Sequence, residues 1–302
     1  MAVDYYKVLL GLGYTSVVIG RGEDSAKVFE LKTGGQVIQG GLKYYLAQQP
    51  AIPKAAIVCV GIEQLAEITL TLLDYGIKRI LLEKPGGLTM EELEENVVNS
   101  DSLDAKVFLA YNRRFYSSVL KGKEIIEEDG GVVSFHFEFT ERSHQVHEWN
   151  KSKKVLEHWF LCNSSHVADM AFFLGGFPKE INCLTCGSLE WHPSAAAFTG
   201  SGKAETGAAF SYHANWAAPG RWGVEVMTNQ YRLIYRPLEK LSLQRIGLDD
   251  LIQVDLEDDI DLRYKPGLFK QVKKFLEGDD ASFCTISQQL ENFQLYYRMA
   301  GY

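Results

Sequence analysis

Apolar and polar positions change their period partway along this chain. Through the first third, unbroken apolar runs alternate with segments whose apolar residues recur every three or four positions. The runs "SVVIG" (16–20), "AAIVCVG" (55–61), "RILLEKP" (79–85) and "KVFLAYN" (106–112) have strand length, and the last three are of the kind expected in a buried parallel sheet. Between them, "EDSAKVFELK", "EQLAEITLTLLDYG" and "LTMEELEENVVNS" read as helices. In the second, Leu65, Ile68, Leu72 and Leu73 share a face and Gly76 ends the helix. In the third, Thr89 followed by Glu92 forms a capping box. Repeated strand–helix units predict the α/β class: a parallel sheet with helices on both faces.

Beyond a helix at "SVLKGKEIIEE" the period becomes two. In "VVSFHFEFT", Val133, Phe135, Phe137 and Phe139 oppose Ser134, His136, Glu138 and Thr140. In "AFSYHANW", Phe210, Tyr212, Ala214 and Trp216 oppose Ser211, His213 and Asn215. With "WGVEVMT", "YRLIYRP" and "KLSLQRI" at hairpin distances, this predicts a large, mainly antiparallel sheet in an α+β domain, one face packed and one free. Two helices, "GLFKQVKKFLEG" and "ISQQLENFQLYYRMA", close the chain. The break between Asn112 and Arg113 gives two domains, 1–112 and 113–302.

The opening "KVLLGLGYTS" holds Gly11-Leu12-Gly13, which looks like a glycine loop for a dinucleotide pyrophosphate. Such a loop needs a strand before it and a helix after it. Here only Tyr14 and Thr15 separate Gly13 from the run "SVVIG". The better reading makes "AVDYYKVLL" the helix and the two glycines its stop and the turn into the next strand. Counting back about 20 residues from Gly20–Arg21 reaches Met1–Ala2. In a Rossmann domain Ala2 would then sit at the tail of the glycine loop, and the first strand and both early glycines would lie before residue 1. That expectation of an N-terminally truncated Rossmann domain favours a late start site or a fragmentary gene over a natural cofactor-free protein, and it implies that the missing glycine loop impairs cofactor binding and activity in the 302-residue form.

Composition narrows the function. The 302 residues are 46% hydrophobic and 23% charged, as in an ordinary soluble globular protein. A net charge of −8 gives no attraction for a nucleic-acid backbone. The apolar runs are too short to span a membrane, and no signal-peptide pattern opens the chain. Five scattered cysteines read as reduced thiols in a cytoplasmic protein. Cys183-x-x-Cys186 lies in a strand-like stretch with no second ligand pair, so it is expected to be buried packing, and no metal site is expected.

Three stretches carry candidate chemistry. At the strand end "IGRG", Gly20 stands where an acid would hold a ribose 2′-hydroxyl. Arg21 beside it either pairs with a 2′-phosphate, favouring NADP, or is a solvated loop residue. Glu83-Lys84-Pro85 follows a buried strand and precedes a helix, at the carboxyl edge where ligands bind. A lysine there can hydrogen-bond a substrate hydroxyl and tune its acidity; in isolation the tripeptide would be a surface loop. "AYNRRF" follows at the domain break. In "NSSHVADMAFFLGG", His166 lies in the first turn of an apolar helix, where a packed or capping role is the plainer reading. "EWHPS" and "NWAAPGRW" are rich in Trp, Arg and His, which suit sugars and phosphates but also serve in turns and sheet packing.

Together these elements resemble the glucose–fructose oxidoreductase/inositol dehydrogenase (Gfo/Idh/MocA) family over nearly the whole chain. The resemblance implies an NAD(P)-dependent oxidoreductase that moves a hydride between nicotinamide and a carbinol carbon of a sugar, polyol or nucleotide sugar. It implies Lys84 as the motif lysine and His166 as general acid/base. It implies cofactor contacts at Ala2, Arg21, Val60, Gly61, Glu83, Lys84 and Pro85. Substrate contacts are expected at Asn112, Arg113, Asn163, His192, Trp216 and Arg221, and a homo-oligomer through the C-terminal sheet. One departure matters: the common pattern has Asp four residues before the histidine, and this chain has Cys162. Asn163 beside it could orient a hydroxyl but carries no proton, which leaves His166, with Lys84, to do so. The competing reading is a non-catalytic sugar-sensing or partner-binding relative that keeps the fold without the cofactor.

Overall fold

A computed structural model describes residues 1–146, 149 and 151–302. The chain divides into two compact units, Met1–Asn112 with Asp259–Leu290, and Arg113–Asp258 with Glu291–Tyr302.

The first unit opens with α1 (Ala2–Gly11), β1 (Val18–Ile19), α2 (Glu23–Thr33), β2 (Val37–Ile38) and α3 (Gly41–Leu46). It continues with β3 (Ala56–Val58), α4 (Leu65–Asp74), β4 (Arg79–Leu82), α5 (Met90–Ser102) and β5 (Lys106–Leu109). Strands β3, β4 and β5 pair in parallel, with Ile57 opposite Leu81 and Leu81 opposite Phe108. Ile80, Leu81 and Leu82 are fully buried, which is why that stretch reads as an unbroken apolar run. Strands β1 and β2 form a separate two-stranded parallel sheet, Val18 opposite Val37.

The two early glycines end α1. Gly13 has φ +77°. Its N–H donates to the Leu10 carbonyl (3.0 Å) and that of Tyr14 to the Leu9 carbonyl (2.9 Å), the paired bonds of a Schellman stop. A Cβ at Gly11 would run into the Tyr264 phenol. At α5, Thr89 Oγ1 accepts the Glu92 N–H (3.3 Å), while Glu92 Oε2 reaches past Thr89 to the Leu88 N–H (2.6 Å). The capping box is therefore shifted by one residue on its return bond.

The second unit comprises α6 (Ser117–Glu128), β6 (Ser134–Glu138), α7 (Ser143–Val146), α8 (Lys153–Glu157), α9 (Ser165–Gly175), β7 (Pro178–Cys186) and β8 (Ala197–Ala204). Then come β9 (Ala209–Asn215), β10 (Gly223–Met227), β11 (Tyr231–Tyr235), β12 (Ser242–Arg245) and β13 (Leu251–Gln253). The eight-stranded order is β13-β12-β11-β10-β6-β9-β8-β7, antiparallel throughout except for the parallel pair β6–β9. Helix α9 covers one face: the Phe172 ring packs 5.4 Å from Phe137 and 5.6 Å from Phe210. Ser211 and His213 on the opposite face are exposed. Val133 departs from the alternation and is exposed, because the ladder starts at Ser134.

The segment 259–290, read with the second domain, belongs to the first unit. It holds α10 (Asp259–Arg263), α11 (Leu268–Glu277) and β14 (Cys284–Thr285), and leads into α12 (Ile286–Ala300). The reason is pairing. β14 adds antiparallel to the edge of β5, and Arg79 holds the Phe275 carbonyl (2.7 Å) and Asp280 (2.5 Å). Cys183 is half-buried and Cys186 exposed, so they are not the expected buried packing. Three apart in β7, they point to opposite faces of the sheet. No helix among the described residues is long and apolar enough to cross a membrane.

Candidate functional site

In the first unit the candidate residues gather at the carboxyl ends of the parallel strands. Glu83, Lys84 and Pro85 follow β4 directly; Lys84 and Pro85 are buried. The Tyr5 hydroxyl on α1 donates to Glu83 Oε1 (2.8 Å). Burial raises the Glu83 carboxyl above the usual range; the Tyr5 bond and the charges of Lys84 and Lys265 oppose that. The Cys59 thiol is pushed up to about 12 by burial and by Glu83, so it is no thiolate nucleophile. The loop is braced behind: Gln289 Nε2 donates to the Pro85 carbonyl (3.0 Å), and the Tyr111 hydroxyl donates to Gln289 Oε1 (3.1 Å). Gly86, at φ +91°, would bring a Cβ to 3.1 Å from Leu93 and Leu109.

Arg21 sits past β1, exposed, with Nη2 on Gln64 Oε1 at 2.5 Å. That bond brings the end of β1 to the short helical turn Ile62–Gln64 after β3. Val60 and Gly61 lie in that same stretch, both exposed, and a Cβ on Gly61 would meet nothing within 4 Å. An exposed guanidinium, an open glycine backbone and a buried lysine at neighbouring strand ends fit a nicotinamide dinucleotide. Ala2, in the first turn of α1, is half-buried.

The second unit builds its own polar cluster. Residues Phe160–Ser164 form a π-helical turn that runs into α9, a feature frequent at functional sites. It carries Asn163, and His166 follows one turn later, 8% exposed. Glu141 is buried and its Oε1 accepts from Asn163 Nδ2 (2.9 Å) and Ser164 Oγ (2.6 Å). One turn past His166, Asp169 is fully buried and takes a two-pronged bond from Arg114, at 2.6 and 2.9 Å. Burial pushes the Asp169 carboxyl up, and Arg114 pulls it back. The guanidinium of Arg113 lies 4.8 Å from the centre of the Trp222 ring, and that of Arg221 lies 4.6 Å from it.

Three expected substrate contacts are committed elsewhere. His192 is fully buried. Nδ1 donates to the Ala195 carbonyl (2.8 Å), so Nε2 accepts from the Tyr302 hydroxyl (2.9 Å), and burial lowers its pKa to about 4. Trp216 is 1% exposed, stacks on Trp191 at 5.4 Å, and donates its indole N–H to the Phe139 carbonyl (3.1 Å). Asn112 is buried with Nδ2 on the Pro266 carbonyl (3.0 Å). His192 and Trp216 thus hold the core of the second unit together.

Glu141 and the Tyr5–Glu83 pair were not expected from the sequence, and Trp222 entered only as part of the stretch "NWAAPGRW". Glu141 had one signal: an acid just past the end of a strictly alternating strand. Tyr5 had none, since its partner is remote in sequence.

No family model and no curated relative matches the sequence. Solved structures do match by fold. A levoglucosan dehydrogenase in complex with NADH and levoglucosan is 15% identical, with TM-score 0.76, covering 99% of this chain and 92% of that one. UDP-N-acetylglucosamine 3-dehydrogenase from Acidithiobacillus ferrooxidans is 12% identical, with TM-score 0.73 and coverages of 99% and 93%. An NAD binding oxidoreductase from Klebsiella pneumoniae is 14% identical, with TM-score 0.78 and coverages of 98% and 92%. At these identities the likeness is one of fold: a Rossmann-like unit with a parallel sheet flanked by helices, joined to a large, mainly antiparallel sheet.

Proposed function

We propose that this chain is a nicotinamide-dependent oxidoreductase of the Gfo/Idh/MocA type acting on a carbinol carbon of a sugar, polyol or nucleotide sugar. The observation that carries the reading is Lys84, buried at the carboxyl end of a central parallel strand and fixed there by the Tyr5–Glu83 and Gln289–Pro85 bonds. The fold neighbours, whose names include NADH, levoglucosan and a UDP-sugar, support it.

A bound nicotinamide would supply or take the hydride. Lys84 holds the reacting hydroxyl and lowers its pKa. His166 takes or gives the proton, and Asn163 orients the hydroxyl. Arg21 holds a 2′-phosphate, which makes NADP the preferred cofactor. The exposed face of the eight-stranded sheet is the proposed oligomer contact.

The test is fluorescence titration with NADPH and NADH, followed by turnover on a panel of sugars. NADPH is expected to bind more tightly than NADH, with Arg21→Ala removing the preference. Lys84→Met and His166→Asn are each expected to cut kcat by about 10²–10⁴-fold. Sugar binding without any nicotinamide binding would instead identify a non-catalytic sugar-sensing relative.

A further inference from the structure

The stack Arg113–Trp222–Arg221 has a property that packing does not explain. Two guanidiniums lie 4.8 and 4.6 Å from the centre of one indole ring. Their charges are therefore within about one Debye length, roughly 10 Å, of each other. Burial lowers the pKa of Arg221, and the charges of Arg142 and Arg113 lower it further.

Among the described residues, Glu141 and Glu239 are the groups of opposite sign that act on Arg221. Glu239 is exposed. Glu141 Oε1 already takes hydrogen bonds from Asn163 and Ser164. Among the described residues, the charges of Arg113 and Arg142 thus act on Arg221 alongside those of Glu141 and Glu239. The indole N–H adds a second, independent sign. Trp222 is 6% exposed, and its Nε1 is buried with no acceptor among the described residues. A buried donor left so costs about 1–3 kcal/mol, and a native structure rarely leaves one without reason.

The backbone here is held in place. The Arg221 N–H donates to Glu138 Oε1 (3.3 Å), and Gly220 lies against Glu138 and Thr140 so closely that a Cβ would clash. Positive charge, planar forks and an unsatisfied N–H share one chemical complement: a group of anionic oxygens.

We propose that Arg113, Trp222 and Arg221 bind an anionic oxygen group, carboxylate or phosphate, on the substrate. The proposal rests on the oxidoreductase reading for the word substrate, but the binding is independent of hydride transfer. Glu141 links the clamp to Asn163, one turn from His166, so the anion would be held beside the residues assigned to the hydroxyl.

The experiment is calorimetric titration of the full chain, without cofactor and at low salt, with glucose, glucuronate, glucose 6-phosphate and inorganic phosphate. At least one anionic sugar is expected to bind about tenfold or more tightly than glucose. Preference for glucuronate names carboxylate as the group; preference for glucose 6-phosphate, with competition by inorganic phosphate, names phosphate. Arg221→Met should remove the preference and Arg221→Lys retain part of it, with unfolding curves showing that both variants fold. Equal binding of all three sugars, or a preference untouched by Arg221→Met and Arg113→Met, overturns the proposal. Anion binding with no nicotinamide binding or turnover would sink the oxidoreductase reading and leave this site standing. Turnover of neutral sugars with no anionic preference would do the reverse.

Discussion

Tyr5 and Glu83 are 78 residues apart in sequence and share one hydrogen bond. The Glu83 carboxyl holds its proton to higher pH folded than unfolded, so between those values the folded chain binds more protons. Its contribution to stability is full below the unfolded value and is lost as pH rises through the folded one. Tyr5→Phe removes the donor and is expected to lower unfolding free energy by about 1–3 kcal/mol in urea titrations at neutral pH. His192 has the opposite sign. With its folded pKa lowered to about 4 from an ordinary 6.5, the unfolded chain binds more protons in that window. Stability should fall as pH drops from 6.5 toward 4, by roughly 3 kcal/mol at most. Urea midpoints across that range should fall steeply in the native chain and less in His192→Gln. At this scale the positions of Lys84 and Arg21 at strand ends and of His166 in the first turn of a helix were legible, because such positions have local signatures. It misdirected on His192 and Trp216, because aromatic and histidine-rich loops look alike whether they face ligand or core.

Helix α9 is fixed from two sides. Its apolar face meets the phenylalanines of β6 and β9, and its buried Asp169 is held by Arg114. Removing one member of a buried ion pair leaves the other charge uncompensated, so Asp169→Ala should cost about 3–5 kcal/mol. Replacing both, as Arg114→Met with Asp169→Leu, should cost less than that single change, and chemical denaturation of the three proteins checks the ordering. The period of two that announced β6 and β9 is the direct imprint of a sheet with one covered face. Strands β1, β2 and β14 are two residues long and carry no period at all. β2 and β14 went unread for that reason, and α3, at six residues, is too short for a helical face to repeat.

Across the whole chain, the α/β opening and the antiparallel second part were legible because hydrophobic period records burial, element by element. The return of 259–290 to the first unit was not legible, because it depends on one edge pairing, β14 on β5, and on the Arg79–Asp280 pair, which join residues far apart in sequence. Burial within an element and membership of a unit are separate properties, and period reports only the first.

The small sheet of β1 and β2 has a consequence for how the molecule opens. Its ladder joins two residues of each strand, Val18 to Val37 and Ile19 to Ile38, whereas β3 to β5 share a wider buried ladder. Local unfolding free energies track such differences. Backbone amides of 18–19 and 37–38 should therefore exchange with deuterium far faster than those of 80–82. If a dinucleotide is held by Arg21, its addition should slow exchange at 18–21 and 37–41 before any other segment, making this sheet the most sensitive reporter of binding in the chain. Mass-spectrometric exchange with and without NADPH reads that order directly, and equal protection everywhere would place the cofactor's grip elsewhere.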